Sequence, residues 1–131
     1  MASELRVNTL KDASGNNSIA TSFVANGSAK AWIKFDQVSG NVVRDSFNLS
    51  SLTDIAAAQA GINFTNSFAN DDYAMTGTGS NTYSNSQSKD IVKLSDVTDT
   101  TSLSNVCIKY GGQANGEDIN DISVVHHGDL A

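Results

Sequence analysis

Period-two alternation of apolar and polar residues, broken roughly every ten residues by a turn signal, recurs along this chain and restricts it to short strands. The clearest run is Lys30 to Phe35, with Ala31, Ile33 and Phe35 on one face and Lys30, Trp32 and Lys34 on the other. Ser39-Gly40-Asn41 turns the chain, and Val43, Asp45, Phe47 and Leu49 alternate along the next run, so the pair reads as a hairpin. Leu5 to Leu10, Ile19 to Val24, Ile62 to Thr65, Tyr73 to Thr76, Ile91 to Leu94, Val106 to Tyr110 and Ile119 to His126 are further extended pieces. In the last of these, Ile122, Val124 and His126 share a face. Asn26-Gly27 and Asn115-Gly116 mark turns. Thr53 to Gly61 reads as a loop or one helical turn, and Gly77 to Asp90 as an exposed loop of low complexity. The expected fold is all-β: a small antiparallel sandwich or barrel over residues 28–131, preceded by an extended docking and oligomerisation segment over residues 1–27.

Composition narrows the function. Ser, Asn and Thr supply about a third of the 131 residues, the apolar fraction is 39%, and proline is absent. Such a chain buries little apolar surface alone, which points to self-association, with Leu5, Val7 and Trp32 as interface candidates. The net charge of −6, with its bases scattered singly, argues against nucleic acid as a partner. A single cysteine, Cys107, rules out an intramolecular disulfide framework and a multi-cysteine zinc site. The opening residues lack the apolar stretch of a signal peptide, and no run reaches the roughly 20 apolar residues of a membrane span. The expectation is synthesis in a cytoplasm without conventional secretion.

Candidate chemistry is sparse. His126 and His127 are neighbours on a strand and point to opposite faces, so one chain cannot readily chelate a metal with both. Three copies of either, meeting on a threefold axis, would make a three-histidine site. Asp71-Asp72 and the set Asp96, Asp99, Glu117, Asp118 and Asp121 lack the spacing of a calcium loop. No Gly-x-Ser-x-Gly and no phosphate-binding glycine motif occurs, so no cofactor and no enzymatic activity are expected. Trp32, Tyr73, Tyr83 and Tyr110 are candidates for stacking on sugars beside asparagine amides, foremost Tyr83 with Asn81 and Asn85.

Four segments carry a resemblance. Ser3-Glu4-Leu5-Arg6-Val7-Asn8-Thr9-Leu10, Gly27-Ser28-Ala29-Lys30-Ala31-Trp32-Ile33-Lys34-Phe35, Arg44-Asp45-Ser46-Phe47-Asn48-Leu49-Ser50-Ser51-Leu52-Thr53-Asp54, and Ile62-Asn63-Phe64-Thr65 followed by Asn70-Asp71-Asp72-Tyr73 occur in that order. Together they resemble small tail-fibre-like proteins of marine tailed bacteriophages. The chain departs from that pattern at Ile55-Ala56-Ala57-Ala58, where a glycine-rich turn is usual, and at His126-His127, where the last strand usually ends on apolar residues. The resemblance implies a homotrimeric virion protein on the tail or capsid surface, associated with other virion proteins and possessing no catalytic residue. A tail fibre or tail-associated protein that attaches to the host surface is the first expectation. A capsid decoration or head-fibre protein and a module binding host polysaccharide are the alternatives.

Overall fold

The computed structural model describes residues 6–80, 89–93, 99–110 and 116–131. Its elements, in chain order, are β1 (Thr9–Lys11), β2 (Ser18–Ala20), α1 (Thr21–Gly27), β3 (Ala31–Asp36), β4 (Val42–Phe47), β5 (Leu49–Ala56), β6 (Gln59–Phe64), β7 (Ala74–Ser80), β8 (Lys89–Lys93), β9 (Leu103–Tyr110) and β10 (Asp121–His127). β1 and β2 pair only with each other, while the remaining strands form one eight-stranded sheet ordered β4-β3-β10-β7-β8-β9-β6-β5. Every pairing in that sheet is antiparallel. The run β7, β8, β9 with β10 returning beside β7 is a Greek key. The first and last strands of the order, β4 and β5, are consecutive in the chain and joined by Asn48 alone, so the sheet rolls up into a nearly closed barrel.

Asn48 makes that corner possible. Its φ of 59° lies in the left-handed region, which asparagine tolerates better than most residues. Its side chain then locks the bend: Asn48 Oδ1 accepts the Asn66 backbone N–H at 2.7 Å, and Asn48 Nδ2 donates to the Asn66 carbonyl at 3.0 Å.

Alternation decides what is buried. Ala31, Ile33 and Phe35 of β3 and Ile122, Val124 and His126 of β10 turn inward, as their spacing predicts. They meet Ala60, Ile62 and Phe64 of β6, Val106 and Ile108 of β9, and the loop residues Phe68, Tyr73 and Ile119. β7 contributes glycine where its side chains would turn inward. A Cβ on Gly77 would lie 2.9 Å from Ile91 Cγ2, and one on Gly79 would lie 2.4 Å from Ile119 Cδ1. Isoleucines from elsewhere fill the space that β7 leaves.

Three segments differ from the sequence-based expectation. Thr53 to Gly61 is neither a loop nor a helical turn: it is the end of β5, a tight turn at Ala57-Ala58, and the start of β6, with Thr53 opposite Gly61 and Asp54 opposite Ala60. Its alanines favour helix in isolation, but pairing with β9 overrides that preference. Two long-range bonds hold the hairpin tip: Asp118 Oδ1 accepts the Ala58 N–H at 2.7 Å, and the Ala58 carbonyl accepts the Ile108 N–H at 2.9 Å. Gly77 to Ser80 belongs to β7 and not to an exposed loop; residues 81–88 lie outside the described part. The N-terminal segment is not extended throughout, because Thr21–Gly27 is helical. No helix among the described residues is long and apolar enough to cross a membrane.

Gly116 tests the packing. A Cβ there would lie 2.1 Å from the Ile108 carbonyl oxygen and 2.5 Å from Ala58 Cβ, both on backbone or short side chains that cannot swing away. Gly116→Ala is expected to cost about 2 kcal/mol or more in chemical denaturation. Gly27→Ala, with nothing within 4 Å of the added carbon, serves as the near-neutral control.

Candidate functional site

Alternation that sends Ile33 inward leaves its neighbours on the outer wall of the barrel. Trp32 stands opposite Phe47 of β4 on one side and Val125 of β10 on the other. The register therefore aligns Phe47, Trp32 and Val125 as an apolar row across three strands. Phe47 is 53% exposed, and Trp32 and Val125 are half-buried. One step along, Asp45, Lys34, Ser123 and Thr78 form a polar row. Lys34 Nζ pairs with Asp121 Oδ1 at 3.2 Å beside a shallow groove lined by Thr78, Gly79, Ser80 and Ser123. The charges of that pair are exposed, so it orients the surface more than it stabilises the fold.

The N-terminal arm, residues 6–27, stands apart from the sheet. β1 pairs with β2 through Thr9 with Ala20, Leu10 with Ile19, and Lys11 with Ser18. No arm residue is buried; Val7, Leu10, Ile19, Val24 and above all Phe23, 72% exposed, present apolar side chains to solvent. α1 has only seven residues and no side-chain cap at Ala20, which is too little to persist by helix propensity alone. The joint to the barrel is nevertheless well bonded. Lys30 N–H donates to the His126 carbonyl at 2.9 Å, Ser28 N–H donates to the Val24 carbonyl at 3.2 Å, and the Lys30 ammonium bridges Ser28 Oγ and the Ala25 carbonyl.

At the barrel end nearest this joint, His126 is enclosed in an aromatic box. Its ring lies 5.0 Å from Phe64, 5.6 Å from Tyr73 and 6.4 Å from Phe68, centroid to centroid. The imidazole is fully buried, and neither ring nitrogen has a hydrogen-bond partner. Burial is the main reason its pKa falls to about 4; Lys93 and His127 push it the same way, and Asp99 opposes them. Asp99 is itself held by the Asn105 N–H at 2.7 Å and Lys93 Nζ at 2.9 Å. Tyr73 donates its hydroxyl to the Leu103 carbonyl at 2.9 Å, and burial, reinforced by the charge of Asp99, drives its pKa upward.

These placements revise the candidate residues. His126 is sealed inside its own barrel, where a copy on a symmetry axis does not meet it. Tyr73 is a core residue, 4% exposed, and offers no face for a sugar. His127 points outward into a cleft with Asn26, Asn70, Asp72, Gly128 and Asp129. Trp32 lies on the outer wall and Val7 on the arm. Leu5, Asn81, Tyr83 and Asn85 lie outside the described residues, and Tyr110 is described only as backbone. Among the described residues no three His, Cys, Asp or Glu side chains are grouped to hold a metal. The carboxylates have other uses: Asp118 caps the Ala58 N–H, Asp121 pairs with Lys34, and Glu117 lies 2.5 Å from Lys89 Nζ. Sequence reasoning missed Phe23, Phe47 and Val125. Hairpin register places Phe47 beside Trp32, but Phe23 is obscured when residues 19–24 are read as a strand.

His126 makes stability depend on pH in a defined direction. Its pKa is near 6.5 in the unfolded chain and about 4 in the fold, so the unfolded state binds the extra proton between those values. The stabilising contribution is complete above pH 6.5 and is lost as pH falls towards 4, by about 3 kcal/mol in all. His126→Phe is expected to flatten the fall in urea midpoint across that window relative to the wild type; equal slopes in both proteins would exclude the histidine as its source. Compared with protein-family models, curated proteins and solved structures, the chain matches none of the three.

Proposed function

We propose that this chain is a non-enzymatic structural protein of a bacteriophage particle, a tail-fibre or tail-associated module that works by assembly and by contact with the host surface. The observation that carries the reading is the arm. Residues 6–27 place five sizeable apolar side chains in solvent, bury none, and are bonded to a barrel that has its own closed core. Such a segment gains its stabilisation from a partner that covers it. The four ordered sequence segments supply the particular setting, a virion, and with it other virion proteins and further copies of the chain as partners. A capsid decoration protein would use the same arm on a different neighbour. Gold-labelled antibody on intact particles separates these readings: gold on the tail or its fibres is the expected result, gold spread over the head means a decoration protein, and unlabelled particles would remove the virion reading.

The cleft beside the arm favours one second reading, recognition of a host polysaccharide. It holds about 330 Å³ between Asn26, Asn70, Asp72, His127 and Asp129, whose amides, carboxylates and imidazole suit the hydroxyls of a neutral sugar. On an array of host-surface glycans, Asp72→Ala should weaken binding by about tenfold, the loss of one charge-assisted hydrogen bond. Loss on Tyr83→Ala, with Asp72→Ala unaffected, would move the site to residues 81–85, and no binding by the wild type would eliminate the sugar reading.

A further inference from the structure

We propose that the aromatic box around His126 has an acid-operated door: protonation of the imidazole swings out the loop of residues 67–72, which carries Phe68, together with the C-terminal strap of residues 128–131, while the barrel stays folded. His126 is fully buried, and neither ring nitrogen has a hydrogen-bond partner. A neutral imidazole tolerates that enclosure, but an imidazolium has two N–H donors that need acceptors or water. The walls around it are carbon: the rings of Phe64, Tyr73 and Phe68 lie 5.0, 5.6 and 6.4 Å away, centroid to centroid.

The charged groups that face the ring do not relieve it. The Lys93 ammonium of β8 and the His127 imidazole of β10 both act against a positive charge on His126. The Asp99 carboxylate, from the turn before β9, would attract that charge, but Asn105 N–H donates to it at 2.7 Å and Lys93 Nζ lies 2.9 Å from it. Tyr73, from the segment before β7, donates its hydroxyl to the Leu103 carbonyl at 2.9 Å and stays neutral, because burial drives its pKa upward. A charged imidazole is therefore accommodated by admitting water, and water enters where the wall is least bound.

Phe64 belongs to β6, held between β5 and β9, and Tyr73 is anchored by its hydroxyl and by the start of β7. Phe68 stands in neither strand. Its N–H donates to the Thr101 carbonyl at 2.7 Å, Ala69 N–H donates to the Asp129 carbonyl at 2.8 Å, and Ala131 N–H donates to the Ser67 carbonyl at 3.0 Å. Phe68 and Leu130 form only an isolated bridge. The strap crosses the rings at Gly128, where an added Cβ would lie 2.9 Å from Tyr73 Cβ and 3.0 Å from Phe68 Cδ1. Separate ties of this kind, outside any strand ladder, mark a unit that opens at low cost. The door also walls the cleft beside the arm: Asn70 and Asp72 come from the loop, Gly128 and Asp129 from the strap. Opening parts those walls, so any ligand that bridges them is released in acid and, reciprocally, holds the door shut.

Amide hydrogen exchange on the full-length chain, corrected for intrinsic rates, tests the door. His126 titrates near 6.5 in water and at about 4 in the box, so the opening constant at Ala69 and Ala131 is expected to rise about 20-fold from pH 7 to pH 5. That opening should be insensitive to about 1 M urea, since it uncovers little surface. Ile108, which donates to the Ala58 carbonyl, should exchange through a larger opening that urea promotes. His126→Phe should hold the acid response at Ala69 and Ala131 below about twofold. Gly128→Ala supplies a second route, because its Cβ lifts the strap from the rings: NMR titration of His126 in this variant should show a midpoint moved up from about 4 towards 6.5. No acid response at Ala69 and Ala131, the same urea dependence there as at Ile108, an undiminished response in His126→Phe, or an unshifted titration in Gly128→Ala would each overturn the proposal.

Discussion

The insertion of β10 between β3 and β7 holds the molecule together. Ile122 pairs with Phe35 on one side and Gly79 on the other, and the ladder continues to His126, flanked by Ala31 and Met75. Without β10 the β3–β4 hairpin would share no strand pairing with the β7-β8-β9-β6-β5 run, and the Asn48 corner would still join it to β5. The contact between β10 and β3 also spans most of the chain: its partners are some ninety residues apart in sequence, so it closes at a high loop-entropy cost. Alternation prepares both strands for it, since each presents an apolar face with no further rearrangement.

Around that centre the barrel works with few large side chains. Glycines of β7 admit Ile91 and Ile119, Gly116 lets the chain pass against Ile108 and Ala58, and aromatic rings gather at one end around His126. The imidazole there is buried without hydrogen bonds, so it contributes shape and apolar contact as long as it remains neutral. The same end carries the arm, because the His126 carbonyl accepts the Lys30 N–H. Core, joint and outer row are consequently parts of one structure: the strand positions that seal His126 and Ile33 inside are those that leave Val125 and Trp32 outside.

That link connects fold to proposed function. A barrel with a small core and an uncovered arm gains most when further copies or particle proteins bury what it leaves exposed. Under the proposed reading, assembly serves stability and function together through side-chain packing.

What the sequence determined by itself is whatever is local. Period-two patterns at Lys30–Phe35 and Ile119–His126 specify strands and their buried faces, because side-chain direction alternates whatever the partner. The Ser39-Gly40-Asn41 turn and its hairpin are local for the same reason: Gly40 and Asn41 adopt positive φ, which their residue types accept. The burial of the aligned Ile122, Val124 and His126 face follows from the same rule. Tertiary structure alone decided that Thr53–Gly61, helix-leaning in isolation, would be strand and hairpin, since its order comes from β9 and the Asp118 carboxylate. It likewise made Gly77–Ser80 a strand by pairing it with β10, and gathered three rings around an imidazole from separate parts of the chain. Those outcomes depend on which distant residues arrive, and no local pattern carries that information.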